Sequence, residues 1–276
     1  MEAAAPFPSV DFTMRIIRHL TPAGPAYAAL QPDGSARVLA GELFGPHHLT
    51  DEVITPGDLL APVVPTNILG IGLNYRKHAE EGKKAVPARP MWFMKTSNAV
   101  QNPGGPIKLP AGSAKVDYEG ELVIVLGKET RNVSVETAMS HVFGYTIAND
   151  VSARDWQFEL GGGQFNHGKS FDTFCPLGPV LVTADELTTP NNLTLKTRVN
   201  GEIRQDWTTA DMVFDVATLV AFLSTSRTLP AGTIILTGTP HGVGYARTPP
   251  LWLAPGDTVE VEIETIGTLS NPVVAE

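Results

Sequence analysis

The sequence predicts a mixed α+β fold dominated by β-structure, on three observations. Short apolar segments separated by glycine and proline turns recur along most of the chain. Asn200-Gly201, between two alternating segments, has the signature of a type I′ hairpin. No strand–helix–strand alternation and no internal repeat is visible, which disfavours a doubly wound sheet.

Taken in order, residues 1–60 read as a small β-rich N-terminal region and residues 61–276 as the main domain. MRIIRHL, AYAAL and SARVLAGELF suggest a meander, and the proline-rich PGDLLAPVVP links it to the main domain. NILGIGLNY is a buried strand ending in a turn. RKHAEEGKKAVPARP is a short polar helix followed by a glycine- and proline-punctuated loop, and PMWFMK a strand ending in Lys95. In EGELVIVL, alternation puts Glu119, Glu121, Val123 and Val125 on one face and Leu122, Ile124 and Leu126 on the other. A strand apolar on both faces belongs in a sheet interior. SVETAMSHVF is a short helix and GYTIAND a second buried strand. The loop GGGQFNHG leads to Lys169, and DVATLVAFLS has the helical spacing of the longest helix. TIILTGTP, VEVEIE and GTLSNPVV complete the strands.

Composition narrows the partners. A net charge of -9 argues against nucleic acid and anionic membranes, which select basic patches. No apolar run approaches the roughly 18 residues of a membrane-spanning helix. The single cysteine, Cys175, excludes an intramolecular disulfide and is expected to be packed. MEAAAPFPSVDF lacks the features of a signal or transit peptide, so a cytoplasmic location is expected.

Three acids carry the chemistry. Glu119 and Glu121 open one apolar strand, and Asp150 closes another. A single pair of acids at a strand end is ordinarily a solvated rim, but three abutting apolar strands raise each other's pKa unless a cation neutralises them. All-oxygen ligands suggest Mg²⁺, Mn²⁺ or Ca²⁺ over zinc, with positions left for a chelating substrate. His78 and Glu81, three apart on a helix, share a face, so the glutamate can polarise the imidazole as a general base. Lys95, Arg154 and Lys169 offer positive charge for a carboxylate and an enolate. The TGTPHGVG turn offers backbone N–H groups to an anionic oxygen. It is not a phosphate loop, because the GK[ST] ending is absent. His47, His48, His167 and His241 are not read as ligands.

GLNYRKHAEE, YEGELVIVLG, ANDVSARDWQ, GKSFDTFCPLGP and ILTGTPHGVG, in this order, resemble the fumarylacetoacetate hydrolase family from about Ile68 to Val273. The third and fourth motifs look most like the branch that includes oxaloacetate tautomerases. The resemblance implies a mixed β-sandwich roll of the C-terminal-domain type, usually a homodimer. It puts Glu119, Glu121 and Asp150 on ligands for Mg²⁺ or Mn²⁺, and His78 and Glu81 on a lid dyad. It puts Lys169 on a catalytic lysine, Arg154 and Gln157 on substrate contacts, and Thr239 in a loop closing over the substrate. Leu73 departs from the pattern, since some hydrolytic members carry an arginine there. The expected function is metal-dependent C–C cleavage of a small 2-oxo or 2,4-dioxo acid through an enolate, by hydrolysis or decarboxylation. The alternative is oxaloacetate keto–enol tautomerisation, and the alternative of another class is a non-catalytic oxo-acid-binding protein.

Overall fold

The computed structural model of the chain describes residues 14–276. The N-terminal residues read for a leader therefore lie outside the described residues. The first strands are β1 (Arg15–Thr21), β2 (Gly24–Leu30), β3 (Ala36–Gly41), β4 (His47–Ile54) and β5 (Leu59–Leu60). Next come β6 (Ile68–Gly72), α1 (Arg76–Glu81), β7 (Met91–Lys95), β8 (Val100–Gln101), β9 (Ile107–Leu109) and β10 (Val116–Asp117). The centre holds β11 (Gly120–Leu126), α2 (Val135–Ala138), β12 (Val142–Asn149), β13 (Ser152–Ala153), α3 (Asn166–Lys169) and β14 (Cys175–Thr183). The chain ends with β15 (Thr194–Val199), β16 (Glu202–Thr208), α4 (Val216–Ser224), β17 (Ile234–Leu236), β18 (Thr258–Ile263) and β19 (Gly267–Ala275).

Strands dominate, as the sequence predicts. The large sheet runs β4-β3-β2-β1-β14-β12-β11-β17-β6-β7, with β5 added on β1 and β8 on β14. It is mixed: β11 is antiparallel to β12 and β17, while β17 is parallel to β6. The N-terminal meander continues this sheet, because β1 pairs with β14 through Arg15 and Val182. A second sheet runs β16-β15-β18-β19-β9, and β10 pairs with β13. No helix among the described residues is long and apolar enough to cross a membrane.

The expected alternation along β11 builds the interior. Leu122, Ile124 and Leu126 enter one apolar core with α4's Leu219, Val220 and Leu223. Val123 and Val125 enter a second core with Tyr118, Ile234 and Leu236. Burying each such side chain contributes about 1.5–3 kcal/mol, so β11 alone anchors both faces. α4 starts at Asp215, whose carboxylate accepts the Thr218 N–H at 2.8 Å. Asn200 and Gly201 adopt φ of 53° and 77°, the left-handed pair that a type I′ turn requires.

Two elements differ from expectation. HHLTDEVI forms β4, since its alternation was too polar to stand out. The glycine-rich loop ahead of Lys169 ends in the one-turn helix α3, held by the packing of its neighbours.

Leu122→Ala should cost about 2–5 kcal/mol of unfolding free energy. Urea denaturation of the chelator-treated protein measures this, and an unchanged midpoint would remove β11 from the centre of the core.

Candidate active site

Strand pairing assembles the acids. Gly120 lies opposite Asn149 in the β11–β12 register, and the Asp150 N–H donates to the Glu119 carbonyl at 2.8 Å. The Asn149 side chain accepts the Glu119 N–H at 3.0 Å. Acids at the paired ends of neighbouring strands therefore converge. Glu119, Glu121 and Asp150, all buried, place carboxylate oxygens within 4.8 Å of one another. Gly120 between the glutamates leaves room for the second sheet, since a Cβ there would lie 2.3 Å from Thr197 Oγ1.

Three buried cations answer the charge. Lys169, at the end of α3, donates to Glu119 at 2.7 Å and Asp150 at 2.6 Å, with its ammonium 4.9 Å from the Phe93 ring centre. Arg154 Nη2 donates to Glu119 at 2.6 Å, its Nε to Asp117 at 2.9 Å, and its Nη1 to Gln157 at 2.9 Å. Lys95 donates to Asp150 and to the Val151 carbonyl. It is not on the cleft wall. Lys95 was expected to contact substrate, but here it supports the triad from behind.

Four buried carboxylates, counting Asp117, thus face three buried cations. The imbalance falls on Glu121. Burial raises the Glu119 carboxyl, but Arg154 and Lys169 overcome this and hold it well below the usual range. Glu121 has a backbone N–H, from Gly238 at 2.7 Å, and no salt bridge among the described residues. Burial, then the Asp150 and Glu119 carboxylates, push it well above the usual range. Burial also opposes the Lys169 ammonium, yet Asp150 and Glu119 keep its pKa raised. This all-oxygen donor set, short of one positive charge, fits a hard divalent cation.

Above this floor, His78 on α1 shares a 2.6 Å hydrogen bond between Nδ1 and Glu81. The late loop serves acids of the protein itself. Gly238 donates to Glu121, Gly242 to Glu81 at 2.9 Å, and Gly244 to Asp117 at 2.7 Å. The sequence led us to expect these N–H groups at a substrate oxygen, but the protein's carboxylates occupy the ones named. Thr239 does line the cleft, with its hydroxyl donating to the Gly120 carbonyl at 3.0 Å and accepting from Gln205.

The cleft is open to solvent and spans about 520 Å³. His78, Glu119, Glu121, Arg154, Gln157 and Lys169 bring their polar groups to it. Leu73, Met91, Phe158 and Phe165 supply apolar wall, and Leu73 takes a left-handed φ of 54° at the turn into α1. Glu81 and Asp150 act on the cleft through His78 and Lys169. Sequence reasoning missed Asp117, the Arg154 partner, and Tyr245, whose ring lies 4.8 Å from the guanidinium carbon. It also missed Gln205, which joins Gly120 to the late loop, and Asn74, which ties α1's entry to Thr237. Asp117 lay close to the triad in sequence, and its separation from the apolar run hid it. Cys175 is packed as expected, and burial pushes its thiol up to about 12.

A carboxylate floor, a buried lysine and a His–Glu pair on one cleft define a small-molecule enzyme site. Residues 67–274 match the fumarylacetoacetate (FAA) hydrolase C-terminal domain, and residues 14–62 match the Rv2993c-like N-terminal family. The chain belongs to the fumarylacetoacetate hydrolase family. It is 49% identical over 217 residues to a mitochondrial oxaloacetate tautomerase of Xenopus laevis, spanning 78% of this chain and 68% of the relative. A human mitochondrial oxaloacetate tautomerase is 46% identical over 216 residues, spanning 78% of this chain and 69% of the relative. A solved structure of a 2-hydroxyhepta-2,4-diene-1,7-dioate isomerase from Mycobacterium marinum superposes with a TM-score of 0.84 at 39% identity, covering 96% of this chain and 99% of that one. A 5-carboxymethyl-2-hydroxymuconate delta-isomerase from Mycobacterium smegmatis gives 0.85 at 39%, covering 95% and 100%. The expected cytoplasmic location does not stand, because these tautomerase relatives are named as mitochondrial proteins.

Glu121→Gln should separate charge from ligation. Between 4.5, the ordinary glutamate value, and the raised folded value, the native state holds a proton that the unfolded chain releases. Stability of the metal-free wild type therefore falls as pH rises through that window, and the variant flattens the slope. Divalent metal at 100 times its Kd should stabilise the wild type by about 2.7 kcal/mol and leave the variant unchanged. Melting curves with chelator or Mg²⁺ read both effects, and equal metal stabilisation of the two proteins would remove Glu121 from the ligand set.

Proposed function

We propose that this enzyme interconverts the keto and enol forms of oxaloacetate with Mg²⁺ or Mn²⁺ held by Glu119, Glu121 and Asp150. The observation that carries the reading is that His78 and Lys169 face one cleft over the acidic triad. Relatives named oxaloacetate tautomerase, at 46–49% identity, support this alternative over the C–C cleavage expected first.

A divalent ion in this site supplies Lewis-acid polarisation of a chelated 1-carboxylate and 2-oxo group. The residues divide the rest. Glu81 accepts the Nδ1 proton of His78, which leaves Nε2 as the ring nitrogen free to take a proton from C3. Lys169 spends two of its three N–H donors on Glu119 and Asp150, leaving one for the oxygen on which enolate charge develops. His78 takes the C3 proton and returns it to O2 to give the enol, so the exchange conserves protons and consumes no water. Arg154 fixes Gln157 at the cleft wall, where both orient the substrate carboxylate. Thr239 shapes the wall beside them.

The partner is a small 2-oxo acid, and the protein works as a homodimer in this reading. Exposed Trp92 and Met94, on one face of the edge strand β7, are consistent with a covered face, which light scattering tests.

Loss of the enol absorbance of oxaloacetate measures tautomerisation, and pyruvate formation measures cleavage. The wild type should catalyse the first far faster than the second. His78→Ala should lower tautomerase kcat by about 10²–10⁴-fold. Pyruvate release matching enol loss would return the assignment to C–C cleavage. Magnesium- and oxalate-dependent stabilisation without turnover of any 2-oxo acid would instead favour the non-catalytic binding protein.

A further inference from the structure

Lys84 carries a charge that neither the floor nor the dyad uses. Its backbone is pinned to the dyad helix. α1 ends with Lys83 in the left-handed region, φ 51°, and the Lys83 and Lys84 N–H groups donate to Glu80 at 3.0 Å and Ala79 at 2.9 Å. These crossed bonds form a Schellman motif, which fixes where the residue after the helix points. Lys84 is then held about one turn beyond His78 and Glu81.

Its side chain lines the same cleft, against the apolar wall. The ammonium lies 5.4 Å from the centre of the Phe158 ring, and Lys84 has no salt bridge among the described residues. Lys77, by contrast, pairs with Glu80, and Lys115 with Glu159. Ring contacts connect its stretch of wall to the floor. Phe158 packs on Tyr245 at 5.9 Å, and Tyr245 lies 4.8 Å from the Arg154 guanidinium carbon. Lys84 and the arginine beside the triad therefore line one aromatic stretch of wall. An uncommitted ammonium on an apolar wall keeps a strong preference for an anionic oxygen.

We propose that Lys84 selects dicarboxylate over monocarboxylate 2-oxo acids by pairing with the carboxylate remote from the floor. This rests on the tautomerase reading only for the identity of the near end, a 2-oxo acid held at Glu119, Glu121 and Asp150. Leu73, Met91 and Phe165 offer the remote group no charge, so Lys84 decides this preference.

The test compares oxaloacetate with its 4-methyl ester, which lacks only the remote charge. Both are measured by tautomerase kinetics and by competition with oxalate for the Mg²⁺-loaded protein. Lys84→Met should weaken oxaloacetate binding and raise its KM about tenfold, without a comparable loss for the ester. Lys84→Arg should restore the preference, and oxalate, which fills the near end alone, should bind both variants like the wild type. Equal effects on diacid and ester, or none on either, would overturn the role of Lys84. Selective binding without turnover would overturn the reaction assigned above and leave the selectivity in place.

Discussion

Four carboxylates withdrawn from water at and behind the floor of one cleft set the constraint on which this structure depends. An isolated buried carboxylate costs several kcal/mol, so each must find a cation or donors that fold formation itself delivers. Glu119 is satisfied by Arg154 and Lys169, Asp150 by Lys95 and Lys169, and Asp117 by Arg154 and loop N–H groups. Glu121 alone is left with one backbone donor and two acidic neighbours. The unpaired charge is local, and it is the reason the floor fits a divalent ion better than a closed ion-pair network.

The late loop makes this constraint cooperative. Between Gly238 and Gly244 it donates N–H groups to Glu121, to Glu81 and to Asp117. A single short segment thus holds the floor, the orienter of His78 and the support of Arg154. Gly238 must be glycine for this: its φ is 93°, and a Cβ would sit 2.8 Å from that of Asn74. Asn74 in turn bonds Thr237 and the Phe214 backbone. The entry to α1 and the loop opposite it are one hydrogen-bonded unit. A shift of the loop therefore moves the His–Glu pair and the triad together, which suits a reaction that needs both in register.

How much was legible in the sequence depended on range. β11, β12, the Asn200-Gly201 hairpin, α4 and α1 carry their own periodicity or turn chemistry, and all five formed as read. The triad was visible because its members sit at the ends of two strands apolar enough to recognise as neighbours. Contacts made across the fold left no such mark. Asp117 meets Arg154 across 37 residues, and Gln205 meets Gly120 across 85. Lys95 was read as a cation for the substrate, but the pairing of β6 and β7 sets it against Asp150. The TGTPHGVG turn was found for the right reason, exposed backbone donors, but its partners were the protein's own acids.

The same charge arrangement argues for how the chemistry is divided. Glu119 and Asp150 each accept a hydrogen bond from Lys169, so the ammonium is fixed by two carboxylates on one side and by the Phe93 ring. A lysine so surrounded stays charged, since the acids outweigh the cost of its burial. It is suited to stabilising negative charge on oxygen and poorly suited to removing a proton. In the proposed tautomerase reading, proton abstraction falls to His78, whose Glu81 partner is anchored by Gly242 instead of by a cation. In that reading, a base on one element and a fixed positive charge on another would let an enolate form and collapse without a bound water. That economy would separate a tautomerase from a hydrolase built on the same floor.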